Sequence, residues 1–291
     1  MNNSSIYNKK KKVYDVVLSA LIYLSAAFAV LLLIGILFYV FWKGIGVIDW
    51  QFLTTQPSTI EGTFGIAGNI LNTLYVVFIT ILISTPIGVG SAIYLNEYAK
   101  PGRLVSIIEF TTETLSGIPS IIFGLFGMIF FGQIFRLKYS ILTGALTMTL
   151  MVLPLITRNT QEALKSVPEI YRTGALGMGT TKWYMIRTIL LPSAMPGIIT
   201  GIILAIGRIV GESAALMFTS GSGYLLPKTA MGLLQKILQP GGTMTVQLYL
   251  CMSKAQYNEA FGIAAVLLVI VFIINLLTKY LSRKFDVNTI S

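Results

Sequence analysis

Residues 16–42 read VVLSALIYLSAAFAVLLLIGILFYVFW, and none of these side chains is charged. A helix that crosses the hydrocarbon core of a bilayer needs about 20 mostly apolar residues. The run is longer than that, so it predicts a first membrane-spanning helix. Because lipid offers no hydrogen-bond partner to a peptide group, we expect the chain to make its further crossings as helices too.

Five more runs of low charge follow this one along the chain. Their apolar parts cover residues 70–95, 114–135, 139–157, 193–218 and 260–278. Around them lie a basic N-terminal segment (1–15), four longer connections (43–69, 96–113, 158–192 and 219–259) and a C-terminal segment (279–291). The predicted fold class is therefore an all-α integral membrane protein with six transmembrane helices.

The composition excludes a water-soluble enzyme. Of the 291 residues, 55% are hydrophobic and only 11% are charged, against roughly 25% charged in soluble domains. The chain has no histidine, which is the usual general base, and its one cysteine excludes an internal disulfide and a Cys-rich metal site. We expect no catalytic residue, no metal and no cofactor in this chain. Its net charge of +10 suits anionic membrane lipid and topology signals better than nucleic acid.

The distribution of Lys and Arg predicts how the chain is oriented. If residues 1–15 lie inside, the inner segments carry 14 basic residues and the outer ones six. Cytoplasmic loops are enriched in Lys and Arg, so both termini are predicted to be cytoplasmic. Lys9–Lys12 before an apolar run also imitate a signal peptide, but the apolar stretch continues to Trp42, which is too long for one. The single cysteine, Cys251, is then expected on the outer side.

The inner segment 158–192 differs from a simple connector. Its polar and apolar residues alternate at helical spacing, and it is divided by Pro168, Gly174, Gly177 and Gly179. This pattern predicts short helices at the cytoplasmic surface, where no bilayer can bury their apolar sides, so we expect another protein to dock there. The Walker A pattern of ATP-binding proteins is absent from the chain. If ATP supplies the energy, a partner protein would therefore have to bind and hydrolyse it.

Arg208 and Glu212 form the candidate site for a solute. They are four residues apart in the predicted fifth span, which would place them on one face of a helix. An arginine in the bilayer costs about 2.5–3.5 kcal/mol on insertion scales, so charges at this depth indicate a transport pathway. The alternative is an arginine that extends to the outer interface while Glu212 neutralises it.

Two pairs of glycines with G-x-x-x-G spacing lie on the same predicted span. They are Gly197 with Gly201 and Gly207 with Gly211. Such pairs let the backbones of two helices approach closely in lipid. Packing within this chain and packing against a second membrane subunit are both open from the sequence.

Several stretches carry a resemblance to a known family. Ala175–Gly179 (ALGMG) and Ile189–Pro192 (ILLP) resemble the EAA loop of ABC-importer permeases, although Thr173 and Gly174 stand where that loop usually has Glu and Ala. Two further stretches are similar to segments of phosphate (Pst) permeases. They are Ser116–Gly127 (SGIPSIIFGLFG) and Gly207–Leu216 (GRIVGESAAL), where Ala215 replaces a proline of the pattern. The resemblance covers about residues 62–280.

The resemblance implies a type I (MetI-like) importer permease of the PstA type in a bacterial cytoplasmic membrane. Such a permease works with a homologous permease (PstC type), an ATPase dimer (PstB type) that binds ATP and Mg²⁺, and an extracytoplasmic phosphate-binding protein (PstS type). It implies inorganic phosphate import past Arg208 and Glu212, driven by ATP hydrolysis on the partner. Segment 158–192 would then be the coupling segment, with five residues toward the ATPase: Ala175, Gly179, Ile189, Leu191 and Pro192.

Three other functions stay open from the residues alone. A single arginine serves phosphate, phosphonate, sulfate and molybdate equally well, so an ABC importer for another oxyanion fits the same pattern. A secondary transporter or channel would work without an ATPase and would not need a docking segment. A subunit that only supports assembly would tolerate charge changes at Arg208.

Overall fold

The computed structural model describes residues 13–57, 63–100, 102–227 and 229–284, and the regular elements in these ranges are helices. The predicted basic N-terminus up to residue 12 and the last part of the C-terminal segment lie outside the described residues. The helices are α1 (Val13–Gly44), α2 (Trp50–Thr54), α3 (Ala67–Ile93), α4 (Arg103–Gly117), α5 (Ser120–Gly127), α6 (Ile141–Lys165), α7 (Glu169–Gly177), α8 (Lys182–Met185), α9 (Leu191–Val210), α10 (Ala214–Thr219), α11 (Ala230–Lys236), α12 (Met244–Ser253) and α13 (Tyr257–Lys284).

Five helical stretches are long and apolar enough to cross a bilayer. They are Tyr14–Gly44, Ala67–Tyr98, Ile141–Lys165, Lys182–Val210 and Tyr257–Tyr280. Two of them run on through a short π-helical piece, at Tyr94–Tyr98 after α3 and at Ile186–Leu190 between α8 and α9. A sixth crossing results if the bent pair Val105–Gly117 and Ser120–Ile134 is counted as one span. The protein is thus an all-α membrane protein with up to six spans.

The third predicted span, 114–135, is not one straight helix. Its two parts meet at an angle of 103°, because Pro119 cannot donate a backbone hydrogen bond and Ile118 before it is extended (φ −72°, ψ 131°). Ser120–Ile134 alone reaches only about 22 Å at 1.5 Å per residue, which is short of the roughly 30 Å hydrocarbon core. The charge-free run missed α4 because that helix carries Glu109 and Glu113.

The fifth predicted span, 193–218, is also wrong at its end. The helix stops at Val210, Gly211 follows as its C-cap, and α10 begins only after Ser213. Glycine is a poor helix former, because its backbone loses more freedom on ordering than that of any other residue. The start differs as well, since the helical stretch begins at Lys182 within the predicted coupling segment.

Helix α6 forms the centre of the bundle. Two-thirds of its apolar window (67%) is buried inside the chain, whereas none of the apolar window of α1 is. Apolar side chains of α6, α3 and α9 form the main core cluster, with Met148, Val152, Val76 and Ile209 among its buried members. Helix α1 instead packs against α13 at the edge of the bundle.

The segment 219–259 covers one end of the bundle, which we call the far end. The side-chain amides of Asn69 and Asn72 donate to the carbonyls of Gly242 and Gly223, both at 2.9 Å. The backbone N–H of Met244 donates to the hydroxyl of Thr73 at 3.0 Å. These bonds attach the segment to the first turns of α3. The opposite end, which carries α7 and α8, is called the coupling end.

Candidate functional site: a charged cavity and a coupling surface

A cavity of about 490 Å³ lies between α4, α6 and α9. Helix α4 contributes Thr112 and Ser116, and α6 contributes residues from its middle, such as Pro154, to its last residue, Lys165. Arg208, near the far end of α9, also lines it. One continuous cavity therefore extends from the coupling end to Arg208.

The cavity is lined by equal numbers of acids and bases: Glu109, Glu113 and Glu162 against Arg158, Lys165 and Arg208. Arg158 and Glu162 pair with each other at 3.4 Å, one turn apart on α6. Among the described residues, no ion pair holds the other four charged groups. Two cations and two carboxylates are thus available to a solute in the cavity.

Arg208 and Glu212 are not the helical ion pair that their spacing predicts. Glu212 lies beyond the end of α9, so the four-residue spacing no longer places the two on one helical face. Glu212 instead accepts a hydrogen bond from the backbone N–H of Ala215 through Oε1 at 3.1 Å, and its carbonyl accepts one from Thr245 at 2.8 Å. Glu212 therefore fixes the start of α10 against α12, while the guanidinium of Arg208 is exposed to the cavity.

The predicted coupling residues have different surroundings. Ala175 is buried, and Ile189 and Leu191 are partly buried in the cluster that joins α7 and α8 to the bundle. Pro192 lies in the first turn of α9, where the missing N–H of proline costs least. Gly179 has a left-handed backbone (φ +79°) and open space where a side chain would begin. Of these five, Gly179 alone is in the exposed class.

An apolar surface surrounds Gly179 and is called the coupling surface. It consists of exposed side chains on α7, α8 and the turn between them: Ile170, Tyr171, Leu176, Met178, Trp183 and Tyr184. Met178 is the most exposed of them, at 83%. Exposed apolar side chains concentrated in one short segment, next to buried cluster residues, are typical of a protein interaction site.

Thr173 stands where the resembled loop usually has Glu. Its hydroxyl lies within hydrogen-bond distance of the carbonyls of Glu169 (3.2 Å) and Ile170 (3.4 Å) on the same helix. This hydroxyl is therefore used within α7, and the position supplies no charge to a partner.

Sequence reasoning missed Arg172 and Glu97. Arg172 on α7 donates to the Glu97 carboxylate from Nη2 at 3.1 Å and from Nε at 3.3 Å. The two side chains are only 13% and 5% exposed. They are far apart in the sequence, so no spacing rule could find the pair. The available signal was that both are charged residues in neighbouring predicted inner segments, 96–113 and 158–192.

Within the described ranges, no three His, Cys, Asp or Glu side chains come together in a way that could hold a metal ion. The features that define the site are a bundle of spans, a charged cavity between them and an apolar docking helix at one end. Together these features are typical of a membrane transport protein with a protein interaction surface at one end.

Comparisons with known proteins give the family. The model of the family described as "Binding-protein-dependent transport system inner membrane component" matches residues 84–287. The chain is 35% identical over 281 residues to the "Probable ABC transporter permease protein YqgI" of Bacillus subtilis, with 93% of this chain and 96% of that one covered. It is 32% identical over 217 residues to the "Phosphate transport system permease protein PstA" of Haemophilus influenzae, covering 74% and 76%.

A solved structure shares the fold. The bacterial alginate ABC transporter, in complex with its alginate-bound periplasmic protein, contains a chain that matches 94% of this one with a TM-score of 0.68 at 16% identity. The chain belongs to the binding-protein-dependent transport system inner membrane component family. It is a non-catalytic ABC transporter permease subunit.

Proposed function

We propose that this chain is the membrane permease of an ATP-driven importer of inorganic phosphate, with the ATP hydrolysed on a partner ATPase. The observation that carries the proposal is the cavity that extends from the coupling end to Arg208. The likeness to phosphate permeases such as that of Haemophilus influenzae supports phosphate as the solute. A homologous permease, an ATPase dimer and an extracytoplasmic phosphate-binding protein are the proposed partners.

Arg208 is the proposed contact of the anion. A guanidinium presents its N–H groups as a planar fork that matches two oxygens of an oxyanion. Lys165 supplies a second cation at the coupling end of the cavity, where the anion would leave. Glu212 acts on the pathway indirectly, since it fixes the turn that follows the helix of Arg208.

The carboxylates of the cavity favour an anion that carries a proton. Glu109 and Glu113 line the same cavity as Arg208, and an ionised carboxylate can only accept hydrogen bonds. Phosphate near neutral pH still has a P–O–H group to donate to them, whereas sulfate has none. The mixed lining therefore supports phosphate over sulfate.

The first experiment is purification of the complex from its native membrane, with identification of its subunits and of the anion that stimulates its ATPase. We expect the purified complex to contain an ATPase and a second permease. We expect its ATPase activity to be stimulated by phosphate bound to the binding protein. Stimulation by sulfate or molybdate alone would replace phosphate with another oxyanion. A chain that transports without any ATPase would be a secondary transporter or channel.

The second experiment tests Arg208 in that complex. Arg208→Lys keeps the charge and loses the fork, so we expect phosphate uptake to fall about tenfold with normal assembly. Arg136→Lys is the matched control, because Arg136 lies between Ile134, where the third crossing ends, and α6, and it does not line the cavity. Uptake by Arg208→Lys at the parent rate would remove Arg208 from the pathway.

A further inference from the structure

The guanidinium of Arg172 has all of its N–H donors in use. Besides the two bonds to Glu97, Nη2 donates to the carbonyl of Leu164 at 2.8 Å, and Nη1 donates to the carbonyl of Val167 at 3.0 Å and to Glu169 at 3.2 Å. A guanidinium has five donors in a fixed plane, and the five bonds match them one to one. A lysine could not reproduce this set.

These bonds join three separate elements. Arg172 lies on α7, Leu164 and Val167 lie at the end of α6, and Glu97 lies in the π-helical turn that ends the α3 span. Arg172 thus bonds to the carbonyl of Val167 just beyond α6, and it adds a second donor to the Leu164 carbonyl, which already accepts from the backbone N–H of Val167 at 3.3 Å. Asn96 also donates to the Glu97 carboxylate, at 2.7 Å.

A second cation fixes the same turn of α3. The ammonium of Lys182, at the start of α8, bonds to the backbone carbonyl of Glu97 and lies 5.1 Å from the centre of the Tyr98 ring. The side chain and the carbonyl of Glu97 are therefore both held by residues of the coupling end. In the part of the chain that the structure describes, the exposed carboxylate of Glu169 bonds only to Arg172.

We propose that Arg172, through Glu97, is the positioning residue that makes α3 and α6 follow a movement of the coupling helix α7. Helices α3 and α6 are the most extensively packed pair of the bundle, and α6 lines the cavity from Met151 to Lys165. A displacement of α7 is thus carried to the cavity wall by buried ionic contacts. This inference rests on the proposed coupling to an ATPase.

The test uses the complete importer in proteoliposomes and measures anion transported per ATP hydrolysed. The variants are Arg172→Lys, Glu97→Gln and the double variant, and the matched control is Glu169→Gln. We expect each single variant to keep the ATPase bound and to lower the ratio about tenfold. The ratio of the double variant should be no lower than that of the more impaired single variant, because both substitutions remove the same contact. Glu169→Gln should stay within about twofold, because exposed ion pairs contribute little.

Two results would overturn the proposal. One is an unchanged ratio in Arg172→Lys and Glu97→Gln with the ATPase still bound. The other is loss of the ATPase from both variants, which would make the pair an element of folding only. If the parent responds to another oxyanion instead of phosphate, the ratio is measured with that anion, so the identity of the solute and the role of Arg172 are decided separately.

Discussion

Gly201 lies directly against Asn159, because a β-carbon at position 201 would stand 2.7 Å from that of Asn159. One turn earlier, a β-carbon at position 197 would stand 2.5 Å from that of Ala163. The first G-x-x-x-G pair of α9 therefore packs on α6 of the same chain. The second pair does not, since a β-carbon at Gly207 would meet nothing within 4 Å.

We predict that Gly197→Ala and Gly201→Ala each destabilise the permease by about 1–3 kcal/mol, because an added methyl group overpacks the contact between α9 and α6. Gly207→Ala is the control and should leave stability unchanged or slightly raised, since alanine is the better helix former. The measurement is the unfolding temperature in detergent. Equal unfolding temperatures for Gly201→Ala and the parent would contradict the prediction.

A second prediction concerns the turn that follows α7. The left-handed backbone of Gly179 costs a residue with a β-carbon about 1–2 kcal/mol, whereas Gly177 is helical and also has open space. We expect Gly179→Ala to weaken co-purification of the ATPase and Gly177→Ala to leave it unchanged. Because a β-carbon at position 179 or 177 would meet no atom within 4 Å, both variants should insert normally. Equal recovery of the ATPase with both would argue against this turn as a docking element.

The thiol of Cys251 is buried. Labelling of this thiol from outside the cell therefore reports its burial as well as the orientation of the chain. Burial raises the pKa of Cys251, so its thiolate is scarce near neutral pH. We expect a membrane-impermeant maleimide to label the folded parent slowly and the unfolded chain fast. Rapid labelling of the folded parent at neutral pH would contradict the burial.

A test of the orientation of the chain in the membrane needs an exposed thiol in the same helix. Ser253 is exposed near the end of α12, so Ser253→Cys in a Cys251→Ser background should react in intact cells if the far end faces outward. Labelling only after the membrane is opened would invert the predicted topology.

The last prediction concerns Lys236, which is only 2% exposed. Its ammonium donates to the carbonyl of Pro240 at 3.2 Å, and burial lowers the pKa of Lys236 below that of a free lysine. Between the folded pKa and the unfolded value of about 10.4, the unfolded chain binds more protons, so this lysine makes the free energy of unfolding rise with pH. Lys236→Met should raise stability at pH 7 and remove that rise.

The measurement is the unfolding temperature from pH 7 to pH 10 in a Cys251→Ser background. That background is needed because the raised pKa of the thiol acts in the opposite sense: the folded state keeps its proton longer, so stability falls as pH rises through the folded pKa. Lys254→Met is the matched control, since Lys254 is exposed in the same segment. Parallel pH curves for Lys236→Met and Lys254→Met would contradict the prediction.

The sequence predicts this fold well where one local property decides the outcome. Long charge-free runs identify helices such as α1 and α13, because lipid demands both length and apolarity. The errors occur where a break interrupts a run, at Pro119 and at Gly211, since hydrophobicity does not report the continuity of a helix.

The candidate site was predictable only in part. Arg208 was a candidate from the sequence because a charge within an apolar run is conspicuous, and in the structure it lines the cavity. Its pairing with Glu212 was wrong because the spacing rule requires an unbroken helix. The contact of Arg172 with Glu97 depends on how α7 packs on the bundle, and the glutamates of the cavity depend on α4 turning back at Pro119. Both are tertiary arrangements that local pattern does not encode.

The break at Pro119 leaves the two halves of the third crossing connected by extended backbone. No helical hydrogen bond crosses this joint, because Ile118 donates back to Leu115 and Pro119 has no N–H to give. A rotation about the joint therefore breaks no helical backbone hydrogen bond. Helix α4, which carries Glu109 and Glu113, is therefore joined to the second half of the crossing by a hinge of extended backbone. A rotation of α4 about this joint would leave the helices that carry Arg208 and Lys165 intact, and its cost would be the packing of Leu115 and Ile118 against the main core cluster.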